Sequence, residues 1–148
     1  MYDDDYPTCE ATYATLRIYS GDKDPDEVSR VLGLEPTSLQ RRGGIRNPRD
    51  HRPVRIKLNG WFLCSQGEVA SRDSRRHLDW ILERIGPLQD ALRHLRDGGS
   101  QMSVSCYWLS SSGHGGPVLS PAQMRKLADL GLECWFDVYF LGKDDGAA

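Results

Sequence analysis

No apolar run in this chain of 148 residues approaches the length of a membrane span. The opening Met1-Tyr2-Asp3-Asp4-Asp5 is acidic, whereas a secretory leader places basic residues before an apolar stretch, so a cytoplasmic protein without a membrane partner is expected. Cys9, Cys64, Cys106 and Cys134 stand far apart with no C-x-x-C spacing, which speaks against a zinc site or a redox dithiol. They read as small buried hydrophobes. His51, His77, His94 and His114 form no metal-binding pattern and no H-E-x-x-H. His77 and His94 sit among arginines on helical stretches and read as solvent-facing. A lysine-bearing phosphate loop, a G-x-S-x-G elbow and a paired set of carboxylates are all missing. The expectation is no metal, no cofactor and no catalytic residue.

What is present is ordinary in bulk. Apolar residues make up 39% and charged residues 27%, with a formal net charge of −2, as in a soluble domain large enough for one core. Residues 1–10 read as a flexible acidic lead, 11–141 as a single domain with a basic loop at 36–57, and 142–148 as a flexible tail.

The organising stretch runs from Gln101 to Leu141. Met102, Val104, Cys106 and Trp108 alternate with polar or aromatic neighbours, the period of a half-buried strand. A glycine-rich loop leads to Ser120-Pro121, a helix cap followed by a first-turn proline. Met124, Leu127 and Ala128 give the helix an apolar stripe, and Gly131 stops it. Cys134, Phe136, Val138 and Phe140 then alternate as a second strand. A shorter echo spans Thr12 to Glu35: a strand through Ala14, Leu16 and Ile18, the cap Asp24-Pro25, and Leu32-Gly33-Leu34-Glu35 matching Leu130-Gly131-Leu132-Glu133. This reads as an internal repeat.

Between these halves, Val54, Ile56 and Leu58 suggest a short edge strand. Asn59-Gly60 then marks either a hairpin turn or a bulge. From Asp73 to Asp97 the pattern is helical, interrupted at Gly86-Pro87, where proline removes a hydrogen bond and predicts a kink or two abutting helices. The fold class expected is α+β: a ferredoxin-like sandwich from two βαβ-type halves joined by the kinked helical segment. Helices would cover one face of an antiparallel or mixed sheet. Strands that alternate apolar with polar residues speak against a parallel sheet covered on both faces.

If Leu16, Val104 and Phe136 face the helices, then Tyr13, Arg17, Tyr19, Tyr107, Trp135, Asp137 and Tyr139 share the opposite face, with Asp137 placed to salt-bridge Arg17. Tyrosine, tryptophan and arginine dominate protein interfaces, and aromatic rings on an open sheet also stack nucleic-acid bases. The basic loop adds Arg41, Arg42, Arg46 and Arg49, opposed locally only by Asp50. The loop through Gly113, His114, Gly115 and Gly116 is conformationally special, and its amides suit an anion.

Taken together, TYATLRIYSGDKDPDEVSRVLGLEPT, GWFLCSQGEVASRDSRRHLDWIL and VSCYWLSSSGHGGPVLSPAQMRKLADLGLECWFDVYF resemble a family of small bacterial proteins known only as a domain of unknown function. The resemblance covers about residues 11 to 141. It implies a bacterial, single-domain, cytosolic protein and brings no activity, substrate or site residue. The arginine-rich insert at 41–57 is the part least expected in its relatives.

The functional expectation is a noncatalytic interaction domain whose open face binds another protein or a second copy, in an immunity-type or regulatory role. The alternative is a nucleic-acid-binding module using that face and the basic loop. A third reading is an enzyme centred on His114 and the glycine loop.

Overall fold

Ala14, Leu16 and Ile18 alternate through the strand that holds the sheet together. In the computed structural model, which describes residues 1–49 and 51–141, this strand is β1 (Cys9–Gly21), and all three side chains are fully buried. Asp24 caps α1 (Pro25–Leu32) by accepting the Asp26 N–H, and Gly33 ends it in the left-handed conformation at φ 65°. Then follow β2 (Ser38–Gln40), β3 (Ile45–Arg46), β4 (Val54–Arg55) and β5 (Asn59–Cys64). Next come α2 (Ser74–Ile85), a single 3₁₀ turn at Gly86–Leu88 and α3 (Gln89–Asp97). The chain closes with β6 (Gln101–Ser110), α4 (Pro121–Asp129) and β7 (Glu133–Phe140).

The main sheet has the order β2-β5-β1-β6-β7. β1 is antiparallel to β5 and β6, β2 is antiparallel to β5, and β7 is parallel to β6. Two antiparallel steps make β1 and β2 run the same way with β5 between them, and β5 and β6 likewise enclose β1. These interlocked split βαβ units are the ferredoxin-like arrangement, an α+β fold with helices on one side of the sheet. β6-α4-β7 adds a directly paired parallel unit at one edge. The echo between the two ends of the chain is therefore local. Ser120 forms a full capping box with Gln123, and Gly131 has φ 66° against 65° at Gly33, but the strands flanking the two helices pair differently.

The core lies between sheet and helices. Leu78, Ile81, Leu82 and Ile85 of α2 and Leu92 and Leu95 of α3 pack on Leu16, Ile18, Trp61 and Val104. Full burial contributes about 1.5–3 kcal/mol for each such side chain. Gly86-Pro87 splits the helical stretch into two helices without losing the stripe, since Ile85 and Leu92 are both fully buried. No helix among the described residues is long and apolar enough to cross a membrane.

Several expectations need correction. Asn59-Gly60 forms no hairpin turn: both residues lie inside β5, and the register break falls on β1 between Tyr19 and Gly21. Asn59 spans that break, its amide donating to the carbonyls of Gly21 (2.9 Å) and Lys23 (3.1 Å) while its Oδ1 accepts the Arg42 N–H. Gly60 is required because a Cβ there would come within 2.7 Å of the Phe62 ring and 2.9 Å of Gln40. Val54 and Arg55 pair with Ile45 and Arg46 in a two-stranded ribbon apart from the main sheet.

On α4 the buried side is Gln123, Leu127 and Leu130, while Met124 is 52% exposed. Polar Gln123 displaces Met124 from the inner face because its amide donates to the Arg75 carbonyl (2.8 Å) and to Asp79 Oδ1 (2.9 Å) of α2. His77 is buried rather than solvent-facing. Its Nε2 donates to the Ser71 carbonyl at 2.8 Å, so Nδ1 accepts from the Ser65 hydroxyl at 2.7 Å, and Ser65 Oγ accepts the Ala14 N–H. Burial pushes the His77 pKa below its ordinary value.

The acidic lead, expected to hang free, lies against α2, where acids meet the arginines of its first turn. Tyr2 hydrogen-bonds Asp79, the Asp3 N–H donates to Asp73 at 2.7 Å, and Asp4 pairs with Arg76 at 2.7 Å. The tail from residue 142 lies outside the described residues. The four cysteines are free thiols, and Cys106 and Cys134 approach within 3.9 Å across adjacent strands, a proximity that their separation of 28 residues conceals. The hydrogen bond to Cys134, reinforced by burial, pushes the Cys106 thiol up.

Candidate functional site

The face of the sheet away from the helices follows from strand parity. Register pairs Tyr13 with Tyr107 and Tyr107 with Asp137, and places Arg17 between Phe62 on β5 and Ser103 on β6. All seven residues expected on this face are thereby brought onto it. Tyr13 and Tyr107 stack with ring centroids 4.6 Å apart and 12° between planes, and Tyr107 tilts against Tyr139 at 5.5 Å. Such pairs add roughly 0.5–1.5 kcal/mol beyond the area they bury.

Arg17 anchors the other end of the face. Its guanidinium lies 5.8 Å from the Phe62 ring centre and 5.3 Å from that of Trp135, and its Nε donates to Ser105 Oγ at 2.8 Å. Tyr19 meets Phe62 edge-on at 5.8 Å. A shallow depression of about 350 Å³ opens here, lined by Tyr13, Arg17, Tyr19, Gln40, Arg46 and Phe62 among others. The sequence reading missed Phe62. With Trp61 beside it and Asn59-Gly60 open to either a turn or a bulge, its parity is not fixed by the sequence; the pairing of Arg17 with Phe62 fixes it.

Asp137 does not reach Arg17. It shares a row with Tyr107 and Tyr13, four residues along from the row of Arg17, Ser103 and Glu133, which is roughly 13 Å of extended chain. Its charge, together with a hydrogen bond, holds the Tyr139 phenol above its ordinary pKa. Burial is the first cause raising Tyr13.

The arginines divide. Arg41 pairs with Asp26 at 2.9 Å and Asp24 at 3.4 Å, and Arg42 with Asp22 at 2.8 Å, so acids at the start of α1 draw both away from the open face. Arg46 donates to Gln40 Oε1 at 3.0 Å and lines the depression. Arg49 is exposed beside the ribbon of β3 and β4, and Asp50 lies outside the described residues. The basic loop thus rims the face at Arg46 and leaves Trp135 and Tyr139 uncovered, at 42% and 51% exposure.

The glycine loop organises itself. Ser110 Oγ accepts the Gly113 N–H at 2.9 Å and the Ser112 N–H at 3.3 Å, and it donates to the His114 carbonyl. Those amides are turned inward, away from any anion. Gly113 and Gly115 hold φ of 84° and 86°, and a Cβ at Gly115 would strike Thr8. Gly116 has open space around its Cα. His114 is exposed, its Nδ1 3.0 Å from Ser112 Oγ. Among the described residues no three His, Cys, Asp or Glu side chains converge as metal ligands would.

Chemically, the open face offers ring edges, phenol hydroxyls, one cation held between rings and a basic rim. Neither a curated protein nor a solved structure matches the chain. A family model does match residues 10–141, nearly the whole length, and the protein belongs to that family, described as a domain of unknown function (DUF4279).

Proposed function

We propose that this protein is a noncatalytic interaction domain of a bacterial cytoplasm, and that its open sheet face binds another protein in an immunity-type or regulatory role. The observation that carries the reading is the cluster of Tyr13, Arg17, Phe62, Tyr107, Trp135 and Tyr139 on a face that no helix among the described residues covers. Rigid aromatic side chains beside arginine bury large areas at low entropic cost, the composition of interface hot spots. Rings pre-stacked on one another need little further ordering on binding.

Geometry also favours a protein over a nucleic acid. Base stacking needs free ring faces. Here Tyr13 and Tyr107 face each other, and Arg17 lies over Phe62 and Trp135. Arg41 and Arg42 already pair with acids, which weakens the basic rim as a track for phosphates.

The test is affinity capture from the native cell with purified protein as bait. One protein should be retained by wild type and by Met124→Ala but lost with Trp135→Ala and with Tyr107→Ala. Equal retention by all four baits overturns the reading. Gel shifts with single-stranded RNA and duplex DNA over a salt series should show no binding; a steep salt dependence would replace the protein partner with nucleic acid.

A further inference from the structure

β7 is the outermost strand of the sheet, paired only with β6 among the described residues, so its outer row of N–H and C=O groups lacks a strand partner. Such an edge is a template for another strand, and soluble proteins usually blunt it with charge, proline or a covering element. Here it carries apolar side chains on both faces. Trp135 and Tyr139 stand on the open side, while Phe136, Val138 and Phe140 stand on the helix side at 45%, 53% and 67% exposure. α4 leaves them uncovered because Gln123 ties it to α2.

We propose that the partner of this edge is a second copy of the same chain, joined β7 to β7 in antiparallel fashion about a two-fold axis at Val138. The sequence of the strand selects both the partner and the register. A two-fold axis at Asp137 would set two carboxylates face to face, and one at Phe136 would set each Asp137 against Trp135. An axis at Val138 pairs Val138 with itself, Phe136 with Phe140, Trp135 with Leu141, and Asp137 with Tyr139 of the second copy. Between positions 135 and 141 each large apolar residue then meets an apolar one, and Asp137 meets the Tyr139 hydroxyl. Because antiparallel pairing preserves parity, the helices of both copies lie on one side of a continuous sheet. Covering most of the exposed area of the five large side chains removes on the order of 1,000 Å² from both copies together, the level a specific interface has to clear. This inference rests on the edge: the dimer takes up Trp135 and Tyr139 at its seam but leaves Tyr13, Arg17, Phe62 and Tyr107 available to a different protein, whose capture Tyr107→Ala tests separately.

Analytical ultracentrifugation over a concentration series should show a reversible monomer–dimer equilibrium for wild type and monomer for Val138→Lys, which sets two ammonium groups against each other at the axis. Circular dichroism should be unchanged by the substitution, since Val138 is outside the core. Register is read by oxidative cross-linking. Val138→Cys should give covalent dimer above the background of the native cysteines, and Phe136→Cys, which faces Phe140, should not. A wild-type monomer at the highest concentration reached overturns the proposal. So does an oligomer that Val138→Lys leaves intact, or cross-linking of Phe136→Cys as efficient as that of Val138→Cys.

Discussion

β1 and β7 lie in one sheet and carry the same apolar alternation, yet they meet opposite surroundings. On the helix side of β1, Leu16 and Ile18 are 0% exposed, while on the same side of β7 Phe140 is 67% exposed. The difference is one of reach. α1, α2 and α3 span β5, β1 and β6, whereas α4 has nine residues and is about 14 Å long. The eight residues of β7 extend roughly 26 Å, so α4 covers only part of the strand even before Gln123 draws it toward α2. Alternation therefore reports which way a side chain points, and the covering helix decides whether it is buried.

The contrast is broken most strongly at its buried end. Leu16→Ala should lower the unfolding free energy by about 2–5 kcal/mol, from lost transfer energy and a residual cavity; urea denaturation measures it. A loss as small as that of a surface site would mean β1 is not the centre of the core. Gly60→Ala comes next. It forces a Cβ into the Phe62 ring and Gln40, and overpacking of this kind costs roughly 1–3 kcal/mol. The same titration should show it, with near-UV circular dichroism reporting displaced aromatics.

A smaller effect sharpens the comparison through pH. His77 is buried and neutral, its pKa lowered in the folded state. As pH falls below the ordinary histidine value of about 6.5, the unfolded chain takes up a proton that the folded chain does not, so stability declines. The decline continues until the lowered folded pKa is reached. Between pH 7 and 5, wild type should lose stability more steeply than His77→Gln; parallel curves would contradict the buried network of Ser65, His77 and Ser71. Least of all, Met124→Ala on the outer side of α4 should change stability by no more than about 0.5 kcal/mol, as exposed positions do. A loss of several kcal/mol would mean that Met124 is covered after all.

Much of this was legible beforehand, for physical reasons that differ by element. Period-two alternation placed Tyr13, Arg17, Tyr107 and Trp135 on the open face without knowledge of strand order. The caps at Asp24 and Ser120, the left-handed glycines at 33 and 131, and the split at Gly86-Pro87 are local signals, read from adjacent residues. What stayed hidden depends on partners distant in sequence. Phe62 joins the face through its register with β1, and Arg41 and Arg42 are drawn off it by acids 15 to 20 residues upstream. Asp137 is separated from Arg17 by the stagger of three strands. His77 and Gln123 reverse their polar appearance because each finds hydrogen-bond partners on another segment.

Amide hydrogen exchange of wild type at low and high protein concentration tests most directly whether β7 is completed by another copy. Outer amides of β7 should exchange rapidly in dilute protein and become protected as concentration rises, while β1 and β5 remain equally protected throughout. Exchange from β7 that is the same at both concentrations would contradict the account.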